Sequence, residues 1–112
     1  MIIKPFFIAP DGTLTHTRGD TAELSLTVYV DGLKRETFSA TLSVKQYPDD
    51  DAYLYQVHFD QDTPCVITHD MTKNIPYGTY WYDVQVMYWK GTSREYKTIG
   101  AFPYILKPDV TG

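Results

Sequence analysis

The sequence contains a single cysteine and no long apolar run, and these shortages exclude several classes of protein. An intrachain disulfide is impossible, so cohesion must come from packing, and Cys65 is expected to be a buried, inert thiol. No stretch of 18 apolar residues exists to cross a bilayer as a helix. The opening segment MIIKPFFIAPDG has no small-residue cleavage site, and Lys4 and Pro5 interrupt its apolar run. We therefore expect a soluble protein that is made in the cytoplasm and does not insert into membranes.

Positive charge is also scarce. Ten Lys and Arg residues stand against 14 Asp and Glu residues, for a formal net charge of -4, and no basic stripe is present to follow a phosphate backbone. This balance argues against nucleic acid as a partner. A chain of 112 residues is too short for two separate cores, so we predict one domain over residues 1–112.

Apolar and polar residues alternate along most of the chain, and no segment has a sustained helical period. A period of two is typical of strands with one buried face. It is clearest in residues 22–30, 38–45, 53–59 and 79–89, and weaker in IIKPFFI, PCVITH and REYKTIGAFPYIL. Gly100 or Pro103 is expected to mark a bulge or edge site in the last strand, and Pro5 makes the first strand an edge strand.

Short polar and turn-forming segments separate these strands. Asp31-Gly32 suits a tight turn, although the polar LKRET after it indicates a loop longer than two residues. The stretch DMTKNIPYG allows one short helical turn. Tyr80 then occupies the place of a tyrosine that bonds back to upstream backbone in immunoglobulin-like sandwiches, and Tyr82 stands where their second cysteine would lie. We predict an all-β fold, an immunoglobulin-like antiparallel β-sandwich of about seven to eight strands with no disulfide.

Arg18-Gly19-Asp20 immediately precedes the first clearly alternating strand. A glycine between Arg and Asp suits a turn, so the tripeptide is expected to form the turn that immediately precedes that strand. The alternative is a ligand for a cell-surface receptor, which requires the tripeptide at the tip of an exposed loop. Because it leads directly into a strand, the turn is favoured.

Residues with catalytic or metal-binding chemistry form no recognisable motif. His16, His58 and His69 lack metal-ligand spacing, and each is expected at the surface or at a strand rim. The acidic stretches 49–51 and 60–62 do not follow a known calcium loop. Cys65 with His69 is the only pair that a nucleophilic mechanism could use, and no nucleophile elbow, zinc-binding helix or phosphate-binding glycine loop is present. We predict no enzyme activity, no metal and no cofactor.

The most unusual feature is the reverse face of the strand TYWYDVQVMYW. If its tyrosines and valines fill the core, the opposite face carries two Trp and a Met where large apolar groups are scarce. A terminal segment or a long loop covering this face, or a reversed assignment of the two faces, would explain it without a function. The functional interpretations are a protein interface, for which Trp and Met are typical, or an aromatic platform for sugars. The candidate partner-binding residues are Trp81, Met87 and Trp89, with Asp83 and Gln85 supplying polar contacts.

Four segments occur in an order that resembles a known family. They are RGDTAELSLTVYVDG, ATLSVKQ, DMTKNIPYGTYWYDVQV and KTIGAFPYILKPDVT, the last with a glycine near the end of the final strand. The order resembles the N-terminal domain of the upper baseplate protein in siphophages of Gram-positive bacteria, a family of phage and prophage tail proteins. Nearly the whole chain takes part in the resemblance, and each segment is a strand-and-turn pattern. Family members continue into helical and receptor-attachment regions, whereas this sequence stops at Gly112.

The resemblance implies a virion structural module in the tail, made in the bacterial cytoplasm, that docks on other tail and baseplate proteins. It supplies no catalytic residues. We therefore predict a non-enzymatic tail or baseplate assembly protein that binds other tail proteins, with a homo-oligomer as the second candidate assembly. The alternative is a β-sandwich module for carbohydrate binding or cell adhesion.

Overall fold

The computed structural model describes residues 6–8, 11–30 and 32–108, and its regular structure is almost entirely β-strand. The strands in the described residues are β1 Phe6–Ile8, β2 Leu14–Thr17, β3 Ala22–Leu24, β4 Tyr29–Val30, β5 Leu33–Lys34, β6 Phe38–Lys45, β7 Tyr55–Asp60, β8 Cys65–Ile67, β9 Gly78–Lys90 and β10 Ser93–Lys107. One short helix, α1, spans His69–Thr72. The expected helical turn in DMTKNIPYG is therefore confirmed, and the protein is mostly β.

Six strands form a mixed sheet in the order β1-β2-β10-β9-β6-β7. Neighbouring strands are antiparallel except β2 and β10, which run parallel with Leu14 opposite Tyr104 and Thr17 opposite Lys107. The prediction of a purely antiparallel fold is wrong at this pair. Two strands that are far apart in the chain meet there, and local alternation contains no signal for the direction of such a pairing.

A second, small sheet pairs β3 with β8, and both strands contribute to the same core as the large sheet. The inward positions of β6 and β9 are buried as the alternation predicts. The small sheet adds Ala22, Cys65 and Ile67 to this core. The fully or nearly buried members from the central strands are Phe38, Ala40, Leu42, Val44, Tyr82, Val84 and Val86.

The segment 22–30 was predicted as one strand, and this is wrong. Only its two ends join ladders, β3 with β8 and β4 with β5, and residues 25–28 lie between them without a strand partner. The alternation in burial persists, with Leu24, Leu26 and Val28 half-buried between exposed neighbours. Alternation thus indicates which side chains face the core, and it does not require a continuous ladder. Breaks of this kind raise the number of strands in the described residues to ten, above the expected seven or eight.

Several of the predicted turns and edge strands can be compared directly with the structure. Val30 pairs with Leu33, so two residues connect β4 and β5 and the longer loop predicted there is wrong. The register between β9 and β10 shifts between Gly100 and Phe102, which confirms the bulge expected at Gly100. β1 lies at the sheet edge, as predicted, while Pro5 is outside the described residues.

The tyrosine at the start of β9 makes the backbone contact that its position predicts. The Tyr80 hydroxyl donates to the carbonyl oxygen of Pro76 at 2.5 Å. Tyr82, two residues later, is buried in the core. In the described ranges no helix has the length and apolar character needed to span a membrane.

Candidate protein-binding face

The five candidate residues lie on the face of β9 that points away from the core. Tyr82, Val84 and Val86, which alternate with them, are buried, so the two faces of the strand were assigned correctly. Trp89 is 45% exposed, whereas Trp81 and Met87 are half-buried among neighbours on the sheet.

The two Trp residues do not belong to one patch. They are eight positions apart on a single strand, which corresponds to about 26 Å at the usual rise of a β-strand. Trp81 lies opposite Lys45 on β6 and Pro103 on β10. Trp89 lies at the other end, beside the β9–β10 turn. The predicted five-residue face therefore divides into two aromatic ends with a polar middle.

The end beside the turn forms what we name the hairpin-end patch, made of Met87, Trp89, Arg94 and Tyr96. Arg94 is paired with Trp89 across the hairpin, and its guanidinium carbon is 5.2 Å from the ring centroid. Tyr96 is paired with Met87 and is 59% exposed. Large amphipathic side chains that stack on one another while remaining open to solvent can bury much area against a partner.

Arg94 and Tyr96 were missed by the sequence analysis, although the sequence contains a usable signal. Lys90 pairs with Ser93, leaving a two-residue turn at Gly91-Thr92. A two-residue hairpin fixes the register of both strands, so identifying that turn would have placed Arg94 beside Trp89.

The middle of the outer face is polar, and its side chains largely bond one another. Lys45 Nζ lies 3.3 Å from Asp83 Oδ2. The Thr41 hydroxyl and His58 Nδ1 are 2.8 Å apart, and Gln56 Nε2 donates to the Ser43 hydroxyl at 2.9 Å. Asp83 is thus engaged within the fold, whereas Gln85 is exposed between Thr41 and Thr98. These groups line a shallow polar groove across the sheet.

The Arg18-Gly19-Asp20 tripeptide forms the turn that the sequence predicts. The Asp20 N–H donates to the Thr17 carbonyl at 3.1 Å, and Gly19 has a φ of +84°, a conformation that favours glycine. Two hydrogen bonds to helix α1 stabilise this turn. The Gly19 N–H donates to the Thr72 hydroxyl at 2.8 Å, and His69 Nδ1 donates to the Gly19 carbonyl at 2.7 Å.

His16 was predicted at the surface or a strand rim, and this is wrong, because its side chain is fully buried. It shares the inward face of β2 with Leu14, and the alternation in LTHT was a signal that the sequence analysis did not use. Its Nε2 donates to the Asp20 carbonyl at 2.9 Å. In the neutral ring Nδ1 then accepts from the Tyr104 hydroxyl at 2.6 Å, and Tyr55 donates to that hydroxyl at 2.9 Å.

Burial determines the protonation states of the hydrogen-bonded side chains of His16, Tyr104 and Tyr55. Removal from water lowers the pKa of His16 and outweighs the opposing effect of the Asp20 carbonyl and carboxylate. Burial likewise raises the pKa of Tyr104 to about 12. The three side chains are therefore neutral at pH 7 and satisfy one another, as buried polar groups in a core must.

The remaining candidate groups are Cys65 and the other two histidines. Cys65 is fully buried, as predicted, and burial raises the pKa of its thiol to about 12, so the thiolate that a nucleophile requires is scarce. His69 is exposed and uses Nδ1 to bond Gly19. His58 is exposed, as predicted. Within the described part of the chain, no three His, Cys, Asp or Glu side chains come together in a way that could hold a metal ion.

Comparisons of the chain with protein-family models, with curated proteins and with solved structures found no match. What the molecule binds must therefore be inferred from the chemistry of its surface. The hairpin-end patch and the polar groove are two features of the outer sheet face that could contact a ligand or a partner.

Proposed function

We propose that the protein is a non-enzymatic structural component of a phage or prophage virion, a tail or baseplate module that docks on other tail proteins. The observation that carries the docking is the hairpin-end patch, in which Trp89, Arg94 and Tyr96 stack or lie side by side and remain open. Trp, Tyr and Arg are the residues that most often dominate the binding energy of protein interfaces. No chemistry is assigned to the protein.

The order of strands supports an immunoglobulin-like arrangement. In such domains the strands C, F and G are neighbours in one sheet, C′ extends that sheet in variable-type domains, and B and E are neighbours in the other. Taken in chain order, β6, β9 and β10 correspond to C, F and G, and β7 corresponds to C′. β3 and β8 correspond to B and E. The Tyr80–Pro76 bond matches the tyrosine corner of these domains.

The segments that resemble the baseplate family fall on the features that shape this fold. RGDTAELSLTVYVDG contains the turn held by α1 together with β3 and β4, and ATLSVKQ contains most of β6. DMTKNIPYGTYWYDVQV spans most of α1 and the first part of β9, and the glycine of KTIGAFPYILKPDVT is the bulge at Gly100. The resemblance therefore concerns an ordered set of structural elements, which supports a tail location and tail proteins as partners.

Co-expression with the proteins encoded by the neighbouring genes tests the docking. Wild-type protein should co-purify in a complex of defined mass, and Trp89→Lys should remove the complex because it puts a charge at the centre of the hairpin-end patch. Tyr77→Lys is the matched control, since Tyr77 is 55% exposed and lies outside the patch. Equal complex formation by wild type and Trp89→Lys would exclude the patch as the docking site.

A carbohydrate ligand is the second candidate function, and the polar groove favours it. Sugar hydroxyls are recognised by amide, carboxylate and hydroxyl groups such as those of Gln85, Asp83 and Thr41, which line this groove. A glycan array distinguishes the candidates, because an assembly protein should bind no glycan selectively. Adhesion through Arg18-Gly19-Asp20 is supported less, since Arg18 stacks 4.9 Å from the Tyr77 ring centroid and Gly19 is bound to α1.

A further inference from the structure

An apolar groove lies on the inner side of the β9–β10 hairpin, where the small second sheet does not cover it. One wall is the segment 26–29, and the other is the inward face of the two long strands. Its apolar lining comes from Leu26, Val28, Val86, Tyr88 and Ile99. Ile99 is 43% exposed although it lies opposite the buried Val84. The core is thus left open along one side of the hairpin.

Two lysines border the groove. Lys90 and Lys97 line it, and among the residues that the structure describes its lining contains no carboxylate. Lys97 is exposed and lies opposite Val86, so its stem borders the apolar floor while its ammonium reaches solvent. An occupant should therefore combine apolar side chains with negative charge.

One exposed segment of this same chain has that combination. The loop between β6 and β7 contains three consecutive carboxylates flanked by exposed apolar side chains, and we name it the acidic loop, residues 47–54. Tyr47 is 60% exposed, Tyr53 52% and Leu54 44%. A turn orders its first half, since the Asp50 N–H donates to the Tyr47 carbonyl at 3.2 Å. The carboxylates are Asp49, Asp50 and Asp51.

Within one molecule the acidic loop and the groove lie at opposite ends of the sheet. The loop follows Lys45, which pairs with Trp81, whereas the groove lies at Tyr88, which pairs with Phe38 at the other end of β6. The two ends are seven positions apart along the extended strand, or about 23 Å. The two surfaces can therefore meet only between molecules.

From this geometry we infer that the acidic loop of one copy inserts into the inner groove of a second copy. Tyr53 and Leu54 would cover Ile99 and Tyr88, while Asp49 and Asp51 would approach Lys97. Because the two surfaces are different, the contact is heterologous and joins copies head to tail into a ring or an open row. This contact is separate from docking through the hairpin-end patch and uses none of its residues.

Light scattering across a range of protein concentrations tests the contact by exchanging charges. The loop variant is Asp49→Lys with Asp51→Lys, and the groove variant is Lys97→Glu. Each variant alone sets like charges against each other and should weaken self-association by at least about tenfold. An equimolar mixture should recover association, because each loop then meets a groove of opposite charge.

Lys107→Glu is the matched control, as it makes the same charge change on an exposed residue of β10 outside the groove. It should associate like the wild type. Circular dichroism and thermal unfolding of each variant establish that it is folded. A wild type that stays monomeric, variants that associate unchanged, or folded variants whose mixture stays monomeric would overturn the inference. Loss of association in Trp89→Lys alone would place the contact at the hairpin-end patch instead.

Discussion

Replacing Tyr104 with Phe removes one hydroxyl from the centre of the buried chain that joins Tyr55, Tyr104 and His16. The phenyl ring keeps its volume, so the core stays filled and the change is confined to hydrogen bonding. The hydroxyl is used twice, as donor to His16 Nδ1 and as acceptor from Tyr55. Its removal breaks both bonds together.

The two broken bonds differ in cost. His16 is fully buried, so its Nδ1 loses its partner and gains no water, which costs about 1–3 kcal/mol. Tyr55 is half-buried and its hydroxyl can turn toward solvent, so the second bond is worth about 0.5–1.5 kcal/mol. We expect Tyr104→Phe to lower the free energy of unfolding by about 1.5–4.5 kcal/mol. Tyr55→Phe removes only the second bond and should cost about 0.5–1.5 kcal/mol.

Urea unfolding followed by Trp fluorescence at pH 7.5 measures these differences, and the double variant adds a further check. Because Tyr104→Phe already removes the acceptor of Tyr55, the double variant should be nearly as stable as Tyr104→Phe alone. If the Tyr104 and Tyr55 variants lose equal stability, the bond between His16 and the Tyr104 hydroxyl contributes nothing. If the two losses add in the double variant, the Tyr55 hydroxyl does not act through Tyr104.

Three further predictions concern single groups. The free energy of unfolding should fall as the pH drops from 7.5 to 5.5, because the unfolded chain takes up a proton near the usual histidine pKa of 6.5 while burial keeps the pKa of folded His16 lower. A series of urea unfolding experiments across this pH range measures the fall. The His58→Gln variant should show the same fall, since His16 is unchanged in it. Gly19→Ala should cost about 1–2 kcal/mol in thermal unfolding, because φ is +84° there. Cys65 should react with a thiol reagent only after unfolding, and rapid labelling of the native protein would contradict its burial.

The parts of the fold that could be predicted are those determined by local side-chain pattern. Phe38 to Val44 alternate strictly between apolar and polar residues, and their apolar members fill the core. In β9 the buried residues Tyr82, Val84 and Val86 follow the same period of two. The break after Leu24 could not be predicted, because the alternation continues through 25–28 while the ladder stops. Ladder pairing depends on which backbone lies alongside, and the sequence of one strand does not contain that information.

In the candidate site, too, the direction of a side chain could be predicted from its own strand, whereas its partners on other strands could not. Trp89 could be predicted to face outward from its own strand, whereas Asp83 proved to be bound to Lys45 on a neighbouring strand. His16 was misplaced because the groups that satisfy it, Tyr104 and the Asp20 carbonyl, come together only after folding. A histidine whose neighbours in the sequence are mostly polar can still be buried when distant residues provide its hydrogen bonds.

The central claim is that this chain is a structural part of a virion, and the most direct measurement is its copy number in purified phage particles by quantitative mass spectrometry. Particles should be prepared from a lysogen that encodes the chain and separated into tails and capsids. We predict that the protein is found with the tails in a fixed ratio to other tail proteins. Its absence from intact particles that contain the other tail proteins would contradict the account.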